Sequence, residues 1–283
     1  MHLLTDKSIK QESGEPLVVK GAVMTKPLEI LVIPDVHLKP YIFDRAENIL
    51  ESGQASYAVC LGDYVDEWEC DNKLDMYQEI FDRMKAFKQK FPETVFLIGN
   101  HDFAYLYPEC GCSGHSRQAE PLVRQNLGSL RWLCGEHKVA VRLGKVLFSH
   151  AGITESYLNE NYATTRRQFN NPKEKFGFHH TGEFIDYVIN DMNICLRSEQ
   201  GHNILWNNNS PLWARPQHTA EPMFDEGYLQ VVGHTPTKKI EQIGNVVSTD
   251  AFSLYSWYPF PPYGEEKFII VNCADKTWRI ADE

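Results

Sequence analysis

No apolar run in the sequence approaches the roughly 18 to 20 residues that a bilayer-spanning helix needs, so an ordinary helical membrane protein is excluded. Cysteine is present without a repeated spacing. Seven of them, an odd number, fit a reducing compartment better than a disulfide framework. Basic residues are in the minority: 28 Lys+Arg against 38 Asp+Glu leave a formal net charge of −10, which argues against nucleic acid as a partner. The opening MHLLTDKSIKQESGE has scattered charges and no continuous apolar core, unlike a secretory leader, so a cytoplasmic protein with no membrane partner is expected. Internal repeats, low-complexity tracts and a Pro/Gly-rich linker are also lacking. Residues 1–27 therefore read as an extension of unassigned role, and 28–283 as one domain long enough to bury a sizeable core.

What the sequence does contain is a recurring local pattern, a short apolar run followed by an abrupt switch to small and polar residues. It appears as LEILVIPDVH (28–37), YAVCLGDYVD (57–66), TVFLIGNHD (94–102), KVLFSHAG (145–152) and LQVVGHTP (229–236). The runs have strand length and are rich in Val, Ile, Leu and Phe, as expected of strands covered on both faces. Between them lies LDMYQEIFDRMKAFKQKF (74–91), whose apolar residues recur every three or four positions before Pro92 stops the pattern. Segments 42–52, 119–134 and 181–197 read as helices in the same way, and EEKFIIVNCADKTWRI as a terminal hairpin completing a sheet. Strands alternating with helices predict an α/β fold, in which ligands sit beyond the carboxyl ends of the strands. All five polar switches fall at such ends.

Those ends carry Asp35 and His37, Asp63, Asn100 and His101, His150, and His234. Carboxylate, amide oxygen and imidazole together suit Mn, Fe, Zn or Ni rather than an all-oxygen calcium site. Two adjacent metals also account for LGDYVDEWEC (61–70), where Asp63, Asp66, Glu67 and Glu69 crowd together, because a carboxylate at Asp63 could bridge both ions. Metals about 3.5 to 4 Å apart polarise a phosphoryl group and generate hydroxide near neutral pH.

The ordered series Asp35-Val-His37, Gly62-Asp63-Tyr-Val-Asp66, Gly99-Asn100-His101-Asp102, His150-Ala-Gly and Gly233-His234-Thr-Pro resembles the calcineurin-like metallophosphoesterases over about residues 28–252. The resemblance implies an α/β fold of two β-sheets packed as a sandwich and flanked by helices, a four-layer α/β/β/α arrangement. It further implies two divalent ions, with manganese the expected choice and Fe, Zn or Ni also suited. Asp35 and His37 would bind the first, Asp63 would bridge, and Asn100, His150 and His234 would complete the second. His101 would protonate the leaving group while hydroxide attacks phosphorus in line, and Asp102 would orient the His101 imidazole. Asp66 would support its loop. Relatives with a second histidine two residues after the first use it on the first metal. Here that position is Pro236, as in the branch of serine/threonine protein phosphatases and diadenosine tetraphosphatases.

The same branch continues its second motif with a phosphate-gripping arginine where this chain has Glu67 and Trp68. Glu67 would accept bonds from a substrate hydroxyl, meet a third cation or point away. A second arginine of the branch matches Arg215 in LWARP (212–216) and would contact the substrate phosphate. The expected activity is hydrolysis of phosphate monoesters, on a phosphorylated protein or small molecule. The alternatives are a nucleotide phosphodiesterase or dinucleoside polyphosphate hydrolase and, further off, a non-catalytic scaffold.

Three other features carry weaker readings. Cys110, Cys112 and His115 could join Cys70 or Cys134 around a structural zinc, though free cysteines in a loop fit the irregular spacing better. The stretch 155–215 is long enough for a cap-like insertion in which Arg166 or Arg167 replaces the missing arginine, against a solvated charged face. The aromatic run 254–264 reads as loop packing or as a gate.

Overall fold

Period-two alternation in the apolar runs decides the layering. In the computed structural model, Ile30 and Val32 face one side of their strand and pack with Val59, Phe148, Val231 and Val271, while Leu31 and Ile33 face the other and pack with Phe43, Tyr77 and Phe81. A strand buried on both faces must lie between two other layers. The structure describes residues 28–107, 109–133, 137–170, 184–198, 201–218, 221–254 and 263–283, with the backbone of 18–19 and 22–23.

A short antiparallel pairing of β1 (Val18–Val19) with β2 (Ala22–Val23) precedes the domain. The chain continues through β3 (Glu29–Ile33), α1 (Tyr41–Glu51), β4 (Tyr57–Cys60), α2 (Leu74–Lys90), β5 (Val95–Phe96), α3 (Asn100–Leu106) and α4 (Glu120–Leu133). There follow β6 (Ala140–Leu143), β7 (Val146–Ser149), α5 (Glu155–Phe169), α6 (Phe184–Cys195), α7 (Gly201–Leu205), β8 (Leu229–Val232), β9 (Glu241–Ile243) and β10 (Val246–Ser248). The hairpin of β11 (Ile269–Asn272) and β12 (Thr277–Ile280) then returns to the first sheet. The two five-stranded sheets have the orders β12-β11-β3-β4-β5 and β6-β7-β8-β10-β9. Within them β3, β4 and β5 run parallel, as do β7, β8 and β10.

The four-layer α/β arrangement expected from the sequence is the one observed. Helices α1, α2 and α4 cover the outer face of the first sheet, through residues such as Ile42, Ile80, Met84 and Val123. Their bounds follow the helical pattern closely, and α2 gives way at Phe91, next to Pro92, which cannot continue it. The stretch 155–215 divides. Helices α5 and α6 cover the outer face of the second sheet, where Tyr157, Leu158, Val188 and Met192 pack with Leu147, while Trp213 and Arg215 border the cavity described below. Thr154 caps α5 by accepting the Tyr157 N–H. Among the described residues no helix is long and apolar enough to cross a membrane.

Candidate metal centre

The carboxyl ends of the parallel strands from both sheets meet at one edge, and each chain turn there is abrupt. His37, Leu38, Asp63, Asp66 and His234 adopt positive φ, between 43° and 65°, a region that non-glycine residues seldom occupy. Strain of this kind persists only where surrounding contacts over-determine it. Two glycines show how tightly those contacts close. A Cβ on Gly99 would lie 2.1 Å from Asp63 Oδ1, and one on Gly233 would lie 2.0 Å from Asp35 Oδ1. Each carboxylate therefore rests on bare backbone, and the glycines that open the Gly-Asn-His-Asp and Gly-His-Thr-Pro motifs supply it.

One donor group gathers around Asp63, His150 and His234, all buried. His150 Nδ1 lies 3.0 Å from the Leu61 carbonyl, so it must donate, and the neutral ring presents a lone pair at Nε2. That nitrogen lies 2.9 Å from Asn100 Oδ1, 3.1 Å from His234 Nδ1 and 3.3 Å from Asp63 Oδ2. A second group combines Asp63 with His37 and His101. His37 Nδ1 donates to the Asp66 carbonyl at 2.8 Å, which leaves Nε2 for the site, 3.7 Å from Asp63 Oδ2. Asp63 is common to both groups, as a bridging ligand must be. Asp35 belongs to neither group; both its oxygens lie within 3.0 Å of the His234 N–H, which leaves each of them a further lone pair.

The orienting role expected of Asp102 is corrected by the geometry. Its carboxylate accepts the backbone N–H groups of Asp63 at 2.7 Å, Tyr64 at 3.0 Å and Gly99 at 3.0 Å, and so is bonded to the loop beneath the bridging ligand rather than to the His101 ring. Asp66 holds His101 instead, with Oδ2 3.1 Å from Nδ1. The other Asp66 oxygen accepts the hydroxyls of Tyr77 at 3.0 Å and Tyr105 at 2.6 Å. Asp66 lies three residues after Asp63 in the sequence, at a left-handed turn that brings it across to the start of α3. Propensity and spacing do not reveal such a crossing.

Glu67 is likewise resolved by an internal partner. Lys39 Nζ sits 2.6 Å from its Oε2, both side chains being 4% exposed, and the Trp68 N–H occupies its Oε1 at 2.9 Å. The cation beside Glu67 is thus a lysine of the chain itself. Lys39 also donates to the His37 carbonyl at 3.1 Å, tying the pair to a candidate ligand. Arg215 lines the cavity with its Nη1 near Thr235 Oγ1 at 3.2 Å, and His218 lies on the same wall. Arg166 is spent elsewhere, pairing with Glu155 and Glu226, so it does not replace the missing arginine. Among the described residues no metal-holding group includes Cys110, Cys112 or His115. Cys112 Sγ accepts the Asn100 amide at 3.2 Å, and His115 stacks on Tyr105 at 4.1 Å. Cys134, residues 179–180 and residues 255–262 of the aromatic run lie outside the described residues.

The whole arrangement opens into a cavity of about 410 Å³. A family model for calcineurin-like phosphoesterases matches residues 28–245. The chain belongs to that family. Among curated proteins none matches it by sequence. Among solved structures it resembles the cold-active protein-tyrosine phosphatase of a psychrophilic Shewanella species, at 14% identity and TM-score 0.52, over 91% of this chain and 81% of that one. A further structure of a cold-active protein tyrosine phosphatase aligns at 13% identity and TM-score 0.51, over 90% and 79%. A metallophosphoesterase from Sphaerobacter thermophilus aligns at 13% identity over 91% and 89%, with a TM-score of 0.36. At these identities the likeness is one of fold.

The donor atoms of this phosphoesterase fit cations. With His150 neutral, its Nε2 lone pair faces two oxygen acceptors, an arrangement that only a proton or a metal ion relieves. Without metal the proton takes that place. Burial opposes a charge on His150, yet Asp63 and Asp35 overcome it and push its pKa up to about 9. Burial likewise opposes a charge on His101, where Asp63 and Asp66 prevail and raise the pKa well above the ordinary imidazole value. Burial would also raise Asp63, but His150 and His101 hold it far below the usual carboxylate range. His234 moves the other way, lowered by burial and by the charges of His150 and Arg215.

The sign of the resulting pH dependence follows. A histidine raised from 6.5 to about 9 contributes stability that is fully present below pH 6.5 and lost as pH rises through about 9. Asp102, raised to about 7 by burial and by the charge of Asp63, adds a loss of the same sign as pH rises from 3.8. Ions at the His150 lone pair displace its proton and remove that part of the dependence. Melting of metal-stripped protein is therefore expected to move to lower temperature between pH 6.5 and 9, and melting of the manganese-loaded protein to stay nearly level. Parallel declines in the two forms would exclude a metal at His150.

For the buried pair, Lys39→Met is expected to cost about 3 to 5 kcal/mol in urea unfolding, because it strands the Glu67 carboxylate. Adding Glu67→Leu should recover most of that loss. A double variant no more stable than the single one would mean that Lys39 acts through its bond to His37.

Proposed function

We propose that this phosphoesterase hydrolyses phosphate monoesters with two divalent ions, manganese being the expected pair. The observation that carries the reading is the sharing of buried Asp63 between two donor groups, opposite a wall that presents Arg215 and His218 to the same cavity. Bound ions would supply Lewis acidity and an activated water. Asp35, His37 and Asp63 would hold the first, and Asp63, Asn100, His150 and His234 the second. The chain's own groups do the rest. Arg215 offers a planar, permanently charged fork to the phosphate oxygens. His101, held by Asp66 at 3.1 Å through Nδ1, stands ready to give a proton to the departing oxygen. The Lys39–Glu67 pair removes what would otherwise be a bare carboxylate repelling a phosphate dianion. A cytoplasmic setting is part of the proposal.

A second reading, nucleotide or dinucleoside polyphosphate cleavage, has one observation in its favour. Trp68 is 47% exposed on the cavity wall and has no ring partner among the described residues. An indole so placed is a face on which a base could stack.

The two readings separate on p-nitrophenyl phosphate beside bis-p-nitrophenyl phosphate, using metal-stripped protein with manganese restored. Monoester turnover that depends on manganese and disappears in Asp63→Asn is expected, whereas diester preference would establish the second reading. His101→Ala should lower kcat by about 100-fold or more on an alkyl phosphate while leaving metal content intact. The loss should be smallest on p-nitrophenyl phosphate, whose leaving group needs no proton. Equal losses on both would remove His101 from the acid role.

A further inference from the structure

The two halves of the centre are unequally furnished. The half nearer His150 has Asn100, His150 and His234 besides the bridging Asp63. The other has Asp35 and His37, and Pro236 stands where a second histidine would follow His234. A carboxylate outside the recognised motifs lies in this neighbourhood. Asp250 follows β10, which runs parallel to β8, and its backbone carbonyl accepts the Thr237 N–H just beyond Pro236.

Asp250 is 1% exposed. Its Oδ1 accepts the Ser253 N–H at 3.2 Å, and its Oδ2, like the Ser253 hydroxyl beside the carboxylate, is buried with no hydrogen-bond partner. A buried carboxylate oxygen left in that state is costly, and such exceptions in folded proteins call for a missing partner. The residue faces the same cavity as His37 and Asp63. The one buried lysine close by, Lys39, is already committed to Glu67. A buried acid with an unpartnered oxygen, on the cavity wall shared with His37 and Asp63, defines a place for a cation.

We infer that Asp250 is a ligand of the first ion, supplying through Oδ2 the position that a histidine would take were Pro236 not there. This rests on the dinuclear reading above. The first ion would then be held by Asp35, His37, Asp63 and Asp250, three carboxylates and one imidazole. The second would keep two imidazoles, an amide oxygen and the shared carboxylate. Oxygen-rich sets suit manganese, whereas imidazole-rich sets suit zinc as well. The two halves should therefore differ in metal preference as well as in affinity.

The test is a manganese titration of the full-length metal-free protein, with free ion followed by electron paramagnetic resonance, for the wild type, Asp250→Ala and Asp250→Asn. Wild type is expected to take up two ions. Asp250→Ala should lose affinity for one of them by about tenfold or more, the range seen when a metal site loses a supporting group, and leave the other within about threefold. Asp250→Asn keeps the bond to Ser253 and guards against loss of the fold. It should weaken the same ion. Two ions bound at wild-type affinity by both variants would overturn the inference while leaving the dinuclear reading intact. A wild type that binds none would overturn both.

Discussion

Asp63 carries a negative charge into a place that is 2% exposed, and most of the edge where the two sheets meet is arranged to make that charge tolerable. His37, His101 and His150 each turn a nitrogen or a backbone N–H toward it. Its backbone N–H is fixed by Asp102, and Gly99 gives up a side chain so that the carboxylate can lie against the chain. The left-handed conformations at His37, Asp63, Asp66 and His234 are a consequence, since donors from separate strands reach one point only if each strand turns sharply at its end. The hydrophobic layers on either side make this possible. Three clusters of buried side chains hold the sheets in place, so the strain at their edge is a small fraction of a much larger sum.

Two features near the first motifs then read as linked rather than separate. Glu67 alone would be a buried acid beside the cavity, but Lys39 arrives from the first motif and neutralises it at 2.6 Å. A guanidinium presented to the cavity can grip an anion in two places, while an ammonium locked to a carboxylate is less able to. The cations that the described residues present to this cavity are Arg215 and, when protonated, its histidines, and Trp68 stands on the wall beside Glu67. The cavity is thereby aromatic on that side.

Much of this was legible in the sequence because the relevant signals are local. An apolar run that stops at Asp, Asn or His places the residue at a strand end whatever the rest of the chain does, and β3, β4, β7 and β8 all obey. The same logic failed for β10, whose apolar stretch is only Val246–Val247 before Ser-Thr-Asp, too short to stand out. It passed over β6 and β9 as well, which are half-exposed or exposed. Side-chain pairings were the harder matter. Asp102 is next to His101 in the chain and was assigned to it, yet a residue at the first turn of α3 points its carboxylate back at the backbone N–H groups that begin the helix. Asp66 is 35 residues from His101 and reaches it through a fold that no spacing rule encodes. The Lys39–Glu67 pair, 28 residues apart, escaped for the same reason.

Asp35, His37, Asp63 and Asn100 come from the first sheet and His150 and His234 from the second, so any ion at Asp63 is also a cross-link between sheets. Contacts that cross the edge at the centre include those of His150 with Leu61, Asp63 and Asn100, and of the His234 N–H with Asp35. Each involves a candidate ligand. These contacts are tied to the state of the centre, and removing bound ions would convert ligand bonds into proton-dependent ones between the same residues, while the Ile98 N–H bond to the Lys138 carbonyl would be untouched. The cores between and outside the sheets persist in either case, because they are apolar and do not titrate. The physical expectation is a fold whose layers are indifferent to metal and whose catalytic edge is not, so that loosening begins at the turns after β3, β4 and β8, where the backbone is most constrained and the charges least compensated.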